Sequence, residues 1–394
     1  FTGFERGFLL LEKSEGLGIS VARDRNGRPV PKSDLKVSLT ALQRALRQRR
    51  ELLAMSFDPT ETGEFSMGNS TVADDDLRSV VCVPLVRVRG NSSEETQMIT
   101  SKSDTVGVIY LDSRQTAVDL SHGNRELLQT LALEASTILE NARLLAEERV
   151  KQRMEEELNI AREIQASLLP KRLPETGWFR VAGWSVPSHQ VGGDYFDIKQ
   201  INQDTWSVVV TDVSGKGVSS AILAALLQGA FVLASEGTLE IERMMERVNH
   251  FLNDRTEGEK YATAFYCTIG HDGLLRWANA GHVTPFLVRR SGDVRALDTT
   301  GLPLGMLPTA CYAVEKERLA PGDKIVAYSD GLSEAQNGEG RFFETSRMKE
   351  LIRTHAARDY RELHGALRCE VEDFTRDAVQ TDDITLVVME YAAQ

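Results

Sequence analysis

Aspartates in the second half of the chain share one local setting: each closes an apolar run or stands beside glycine. Asp194 lies in Val191-Gly192-Gly193-Asp194-Tyr195-Phe196-Asp197, and Asp212 in Val208-Val209-Val210-Thr211-Asp212-Val213-Ser214-Gly215-Lys216-Gly217. Asp330 lies in Tyr328-Ser329-Asp330-Gly331, and Asp382 and Asp383 lie in Thr381-Asp382-Asp383-Ile384-Thr385. An ionised carboxylate at the end of an apolar strand borders a low-dielectric core, which is costly unless positive charge compensates it. A divalent cation is the natural compensator, and oxygen-only ligands select Mg²⁺ or Mn²⁺ over zinc. Taken singly, each motif is more often a turn than a ligand, since Ser, Asp and Gly favour turns. Composition and spacing leave the set open between a metal site and a group of solvated turns.

The elements that must position these residues follow from periodicity. From Val181 onward the chain is β-rich, with a strand at Trp206–Thr211 and paired strands at Tyr261–Ile269 and Leu274–Ala280 around the His271-Asp272-Gly273 turn. Pro285–Val288, Asp323–Tyr328 and Ile384–Glu390 add strands. Ser219–Ser235, Glu240–Asn253, Arg347–His355 and Arg361–Thr375 read as helices. The sum is a layered α+β domain.

The first half reads as a smaller α/β domain. Gly7–Leu11, Leu17–Val21, Ser79–Val86 and Val106–Asp112 are strands, Asn26-Gly27 is a turn, and Leu39–Leu53 is an amphipathic helix carrying Leu39, Leu42, Leu46, Leu52 and Leu53. Asn91–Asp104 is a polar hairpin loop. Ser121 opens a long helix whose apolar face holds Leu127, Leu128, Leu131, Leu133, Ile138, Leu139, Leu144 and Leu145. Met154, Leu158, Ala161 and Leu168 then recur in steps of four and three, with Gln165 in the slot between the last two. That short heptad pattern suits a helical linker or two-stranded coil, or else a lone amphipathic helix on its own domain. Pro170 and Pro174 end it.

Composition bounds the rest. With 394 residues the chain holds two or three domains. Its 46 basic and 58 acidic side chains leave a net charge of −12, which argues against general nucleic-acid binding. The 41% hydrophobic and 26% charged content is that of a folded globular chain. The longest apolar runs, such as Val80–Leu85, fall far short of the ~20 residues of a membrane helix. The chain opens on Phe1 rather than Met, so it is expected to be a piece of a longer protein. Cys82, Cys267, Cys311 and Cys369 show no CxxC spacing, and read as free, buried thiols in a reducing cytoplasm.

The aspartate motifs, taken together, resemble the SpoIIE-type branch of the metal-dependent protein phosphatases, the PPM family related to protein phosphatase type 2C. The resemblance runs in order from about residue 160 to 391, through Ala161-Arg162-Glu163-Ile164-Gln165-Ala166-Ser167-Leu168-Leu169-Pro170, Gly192–Asp197, Asp212–Gly217, Asn279-Ala280-Gly281-His282, Gly301-Leu302-Pro303-Leu304-Gly305, Tyr328–Ala335 and Asp382–Thr385. It implies a β-sandwich flanked by helices, with two Mn²⁺ or Mg²⁺ ions in a cleft at one edge. By motif matching, Asp212 is the bridging ligand, followed by the backbone carbonyl of Val213. Asp194 completes one metal, and Asp330 and Asp382 the other. Asp383 ranks below Asp382, at a position where relatives carry Asn. Two ions can hold a hydroxide and neutralise charge on the phosphoryl oxygens. The histidine and arginine of better-studied type 2C enzymes have no counterpart here, and Lys216 is the nearest candidate cation. His282 reads as shaping a turn near the cleft, and Gly301–Gly305 as a rigid turn packing the core. Gly192–Phe196 superficially resembles a diguanylate cyclase signature, but lies near the domain's start and is followed by further Asp motifs.

The first half resembles a GAF domain, through Glu5–Leu11, Ser79–Leu85, Gly107–Asp112 and Glu140–Leu144. Cys82 reads as core rather than a chromophore attachment point. The resulting division is a GAF-like sensor over 1–145, lacking the family's first helix, a helical linker over 146–172 and a PPM-type domain over 173–394. The resemblance implies a cytoplasmic protein serine/threonine phosphatase, homodimeric through the GAF and linker helices and controlled by an unidentified small-molecule ligand. Its implied substrate is a phosphorylated anti-sigma-factor antagonist with a STAS domain. The alternative is a catalytically silent PPM-fold interaction module.

Overall fold

The computed structural model describes residues 3–13, 16–48, 53–56, 77–86, 105–114, 122–175, 177–235 and 240–392. The polar loop expected at Asn91–Asp104 lies outside them, as does Ser121. The chain divides into two compact units, Phe1–Arg153 and Met154–Gln394.

In the first unit, β1 (Arg6–Lys13), β2 (Gly16–Asp24), β3 (Leu53–Ser56), β4 (Ser79–Val86) and β5 (Thr105–Ser113) form one antiparallel sheet in the order β2-β1-β5-β4-β3. Helix α1 (Leu39–Gln48) stops before Leu53, which begins β3. The helix expected over 39–53 is therefore shorter, because Leu53 pairs with Cys82 across the sheet. Alternation splits β4 between two cores. Val80 and Cys82 join Phe8, Leu10, Ala41, Ala45 and Tyr110, whereas Val81, Val83 and Leu85 meet Leu128 and Ala132. Burial pushes the Cys82 thiol up to about 12, as expected of a core cysteine. Arg6 closes an ion pair on the fully buried Asp112, its Nε donating to Oδ1 at 2.7 Å.

Helix α2 (His122–Leu168) is continuous, without a proline or kink-forming break in its sequence. It buries a narrow stripe through Leu128 and Ala132, whereas Leu127, Leu131, Leu133, Ile138, Leu144 and Leu145 are exposed. The broad apolar face expected from the sequence is thus only partly covered. Cys311 and Cys369 also depart from expectation: they are free but exposed, while Cys82 and Cys267 are buried.

The second unit is a sandwich of two antiparallel five-stranded sheets. The first sheet contains β7 (Tyr195–Asn202), β8 (Thr205–Val213), β9 (Ala262–Gly270), β10 (Leu274–Ala280) and β13 (Glu315–Arg318), in the order β13-β10-β9-β8-β7. The second contains β6 (Phe179–Val186), β11 (Phe286–Val288), β12 (Val294–Ala296), β14 (Lys324–Tyr328) and β15 (Ile384–Tyr391), in the order β12-β11-β14-β15-β6. Side chains from both sheets, including Phe179, Val208, Val210, Phe265, Val387 and Met389, fill the layer between them. Helices α3 (Val218–Ala234) and α4 (Ile241–Thr256) cover the outer face of the first sheet. Helices α6 (Thr345–His355) and α7 (Tyr360–Thr375) cover the second, and α5 (Asp330–Ser333) is a single turn after β14. With both faces covered, β8 and β15 read as continuous apolar runs rather than alternating ones. Among the described residues, no helix is long and apolar enough to cross a membrane.

Candidate metal centre

The two sheets bring their aspartates to one edge of the sandwich. Asp212 is the penultimate residue of β8, and Asp194 immediately precedes β7, whose Tyr195 pairs with Thr211. Asp330 opens α5 directly after β14, and Asp382 lies two residues before β15. The Ser329 amide donates to the Thr385 carbonyl at 3.0 Å, which holds these two segments together.

Close backbone approach makes the cleft. A Cβ at Gly192 would stand 2.5 Å from Asp383 Oδ2, and one at Gly331 2.1 Å from the Asp383 carbonyl oxygen. A Cβ at Gly193 would stand 2.8 Å from the Val213 carbonyl, the backbone oxygen singled out from the sequence. No larger residue fits these positions without moving backbone or an anchored carboxylate. Asp383 is that anchor. Its Oδ1 accepts from the Ser188 amide at 2.7 Å and the Ser188 hydroxyl at 2.9 Å, and its Oδ2 from the Gly193 amide at 2.6 Å. The residue thus braces the segment that presents Asp194.

A second brace comes from α2. The Gln165 side chain donates Nε2 to the Gly192 carbonyl at 2.6 Å, and its Oε1 accepts from the Gly192 amide at 3.0 Å. Sequence reading placed Gln165 in a heptad slot without giving it this work. Its one signal was a polar residue where the pattern wants an apolar one. Gln165, Asp194 and Asp383 also line a cavity of about 160 Å³, together with Leu169, Ala224 and Gln228.

Burial, and then neighbouring carboxylates, raise the proton affinity of Asp194, Asp212 and Asp330. Burial holds Asp194 well above the usual carboxylate range, and the charge of Asp212 adds to it, against the hydroxyls of Ser329 and Thr385. Among the described residues, the buried Asp194 Oδ2 has no hydrogen-bond partner. Asp212 is pushed up to about 7, by burial first and then by Asp330, Asp382 and Asp383. Asp330 is also raised, by burial and then by Asp382, while Lys216 pulls it down. Lys216 Nζ stands 2.9 Å from Asp382 Oδ2 and donates to the Thr381 carbonyl at 2.6 Å.

His282 lies behind the cleft, 2% exposed, with its Nδ1 2.8 Å from Thr263 Oγ1. Thr263 pairs directly with Asp212 across the sheet. Burial pushes the imidazole down to about 4, so it is neutral near pH 7. The His282 amide donates to Asn279 Oδ1 at 2.8 Å, which closes the turn expected here. Leu304 is fully buried within the Gly301–Gly305 turn, whereas Leu302 is 44% exposed.

Among the described residues, no three His, Cys, Asp or Glu side chains are grouped as a ready-made metal shell. The donor set nevertheless fits a hard divalent cation. It is all oxygen, burial raises the proton affinity of Asp194 and Asp212, and among the described residues Asp194 Oδ2 has no hydrogen-bond partner.

Comparison with known proteins bears on the fold that carries these residues. Residues 202–392 match the family model described as Stage II sporulation protein E (SpoIIE). The chain is 26% identical over 246 residues to "Phosphoserine phosphatase RsbU" of Bacillus subtilis, covering 61% of this chain and 71% of that protein. It is 25% identical over 261 residues to "Protein IcfG" of Synechocystis sp., covering 59% of this chain but only 41% of that protein. Among solved structures, the SiaA-PP2C domain of Pseudomonas aeruginosa superposes with a TM-score of 0.55 at 21% identity, over 61% of this chain and 98% of that one. The sandwich of the second unit therefore has the PP2C fold, and it contains the segment that matches the SpoIIE family model.

Proposed function

We propose that the chain is a protein serine/threonine phosphatase that uses two Mn²⁺ or Mg²⁺ ions to hydrolyse phosphoserine or phosphothreonine on a regulatory protein. The observation that carries this reading is the convergence of Asp194, Asp212, Asp330 and Asp382 from two sheets on one edge, where burial and then neighbouring carboxylates raise the proton affinities of Asp194, Asp212 and Asp330. Asp212 feels the charges of Asp330 and Asp382 and shares a hydrogen bond with Asp194, and it would be the group shared by both ions. Asp194 and the Val213 carbonyl would hold one ion, and Asp330 and Asp382 the other. Bound there, the ions supply a water nucleophile near neutral pH and neutralise charge on the phosphoryl group. Asp383, with both oxygens engaged by Ser188 and Gly193, holds Asp194 in place rather than completing a shell. His282, neutral and enclosed, ties the turn instead of delivering a proton.

The name of the Bacillus subtilis relative supports phosphoserine as the substrate group. The resemblance read from the sequence extends this to a phosphorylated STAS-domain anti-sigma-factor antagonist in the cytoplasm. The first unit is a GAF-type sensor for a small molecule in this reading, consistent with its five-stranded antiparallel sheet. The exposed Leu144, Leu145, Val150, Met154, Ile160 and Ile164 of α2 support a homodimer through this helix. The silent-module reading draws on the ion pair that Lys216 makes with Asp382.

Hydrolysis of an aryl phosphate and of a phosphoserine protein with Mn²⁺ tests the proposal. Turnover should vanish on chelation and in Asp212→Asn, which leaves two cations repelling each other across the shared position. No turnover by the unaltered chain with either metal would establish the silent module instead.

A further inference from the structure

The loop joining β8 to α3 is built to carry one side chain across the cleft. Gly215 and Gly217 have φ of 95° and 81°, conformations that L residues avoid, and they flank Lys216. The Ser214 amide donates to the Tyr261 carbonyl at 2.9 Å, and its hydroxyl accepts from the Tyr261 amide at 3.1 Å. Held on that side by the chain entering β9, the loop directs Lys216 to Asp382, 2.9 Å away on the segment entering β15 of the other sheet. The pair is open to solvent, with the lysine side chain 48% and the aspartate 35% exposed, so it is weak and exchangeable.

Three facts then constrain what Lys216 can do. Its Nζ also donates to the Thr381 carbonyl at 2.6 Å, which seats it beside Asp382. The carboxylate it holds is one that a divalent ion would need in the proposed site. Its tether ends at the rim of a cleft whose proposed substrate carries a phosphate dianion. An ammonium displaced from Asp382 by a stronger cation stays within a flexible four-carbon stem of that position.

We propose that Lys216 is a tethered cation with two stations: Asp382 in the metal-free cleft, and the phosphate of the substrate once a divalent ion has taken Asp382. This rests on the phosphatase reading above and supplies the phosphate-binding cation for which the sequence offered no arginine. It makes metal loading and phosphate recognition parts of one exchange, because the same event that fills the cleft frees the lysine.

The test is calorimetric titration of the metal-free full chain with Mn²⁺ alone, followed by titration of the Mn²⁺-loaded chain with inorganic phosphate. Lys216→Gln should bind Mn²⁺ about two- to fivefold more tightly, because its internal competitor is gone. The loaded variant should bind phosphate roughly tenfold or more weakly, while Lys216→Arg keeps phosphate affinity within about threefold. Unchanged Mn²⁺ and phosphate affinities in Lys216→Gln would make Lys216 a solvated loop residue and overturn the proposal. Weaker Mn²⁺ binding would also overturn it, by making the lysine a support for Asp382. Tighter Mn²⁺ binding with unchanged phosphate affinity would refute the second station. Neither titration needs turnover, so a chain that binds both ligands but hydrolyses no phosphoprotein defeats the phosphatase reading without defeating the exchange.

Discussion

Asp382 and Asp383 are adjacent in sequence yet should fail in opposite ways when truncated. Asp383→Ala removes the acceptor for two backbone amides, Ser188 at 2.7 Å and Gly193 at 2.6 Å. A hydrogen bond to a charged group contributes about 1.5–3 kcal/mol, so two bare amides cost about 3–6 kcal/mol. The Ser188 hydroxyl can turn to solvent and adds little. Removing one negative charge beside Asp212 offsets part of the loss, leaving about 2–4 kcal/mol. Against a typical stability of about 5–15 kcal/mol, that is a large fraction. Asp382→Ala breaks only an open ion pair to Lys216 and a local bond to the Asp383 amide, for about 1 kcal/mol or less.

Urea unfolding in chelator-containing buffer measures the difference directly. All four tryptophans, Trp178, Trp184, Trp206 and Trp277, lie in the second unit, so their fluorescence reports on it alone. Asp383→Ala should lower the midpoint substantially, whereas Asp382→Ala should leave it near the original and instead weaken Mn²⁺ binding. If Asp383→Ala unfolded at the unaltered midpoint and lost Mn²⁺ affinity as strongly as Asp382→Ala, Asp383 would be a metal ligand and the bracing argument would fail.

Two further outcomes follow from the same geometry. In the metal-free protein Asp212 titrates at about 7, against about 3.9 for a free aspartate. The folded state therefore keeps a proton that the unfolded chain releases: this contribution is fully present below pH ~4, and is lost as pH rises through about 7. The buried His282, pushed down to about 4, works in the opposite direction as pH falls from ~6.5. The pH dependence of the urea midpoint should thus be compared with that of Asp212→Asn, which should lose the decline between pH ~4 and 7; identical profiles would contradict the burial argument for Asp212. Gln165→Ala removes both bonds to Gly192, and should lower kcat about tenfold or more with KM little changed, because it loosens the loop carrying Asp194. Gln165→Glu, which keeps the acceptor, should fall between; equal kcat for all three would leave Gln165 as packing.

The legible part of this molecule was what repeats along the chain. Apolar runs such as Leu274–Ala280 and Ser79–Val86 coincide with β10 and β4, because a strand buried on both faces needs no partner to declare itself. The strand β13, Glu-Lys-Glu-Arg, was invisible for the opposite reason: it is a charged edge strand whose only structural requirement is backbone pairing to β10. β7 was hidden inside a motif read for chemistry, and the end of α1 depended on pairing between Leu53 and Cys82. At the cleft, residue types could indicate carboxylates in need of positive charge. They could not separate Asp383 from Asp382, since which carboxylate meets Ser188 and Gly193 is decided by a contact between segments about 190 residues apart. Gln165 was missed on the same ground.

These long-range braces have a common physical cause. A cluster of carboxylates at the end of two sheets repels itself, so each member tends to drift outward or take up a proton. Glycine at 192, 193 and 331 lets the backbone close in, and closure brings the Gly193 amide onto Asp383 and the Val213 carbonyl beneath Gly193. Backbone dipoles thereby neutralise one carboxylate without any cation, and protonation relieves Asp194 and Asp212. Lys216 relieves Asp382. Each of the three devices is reversible to a different degree: the dipoles stay, the protons leave as pH rises, and the lysine swings. A divalent ion in the proposed site would compete only with the last two. That division leaves the loop bearing Asp194 fixed while the charge around it changes, and it places Gln165, which also grips Gly192, among the fixed parts.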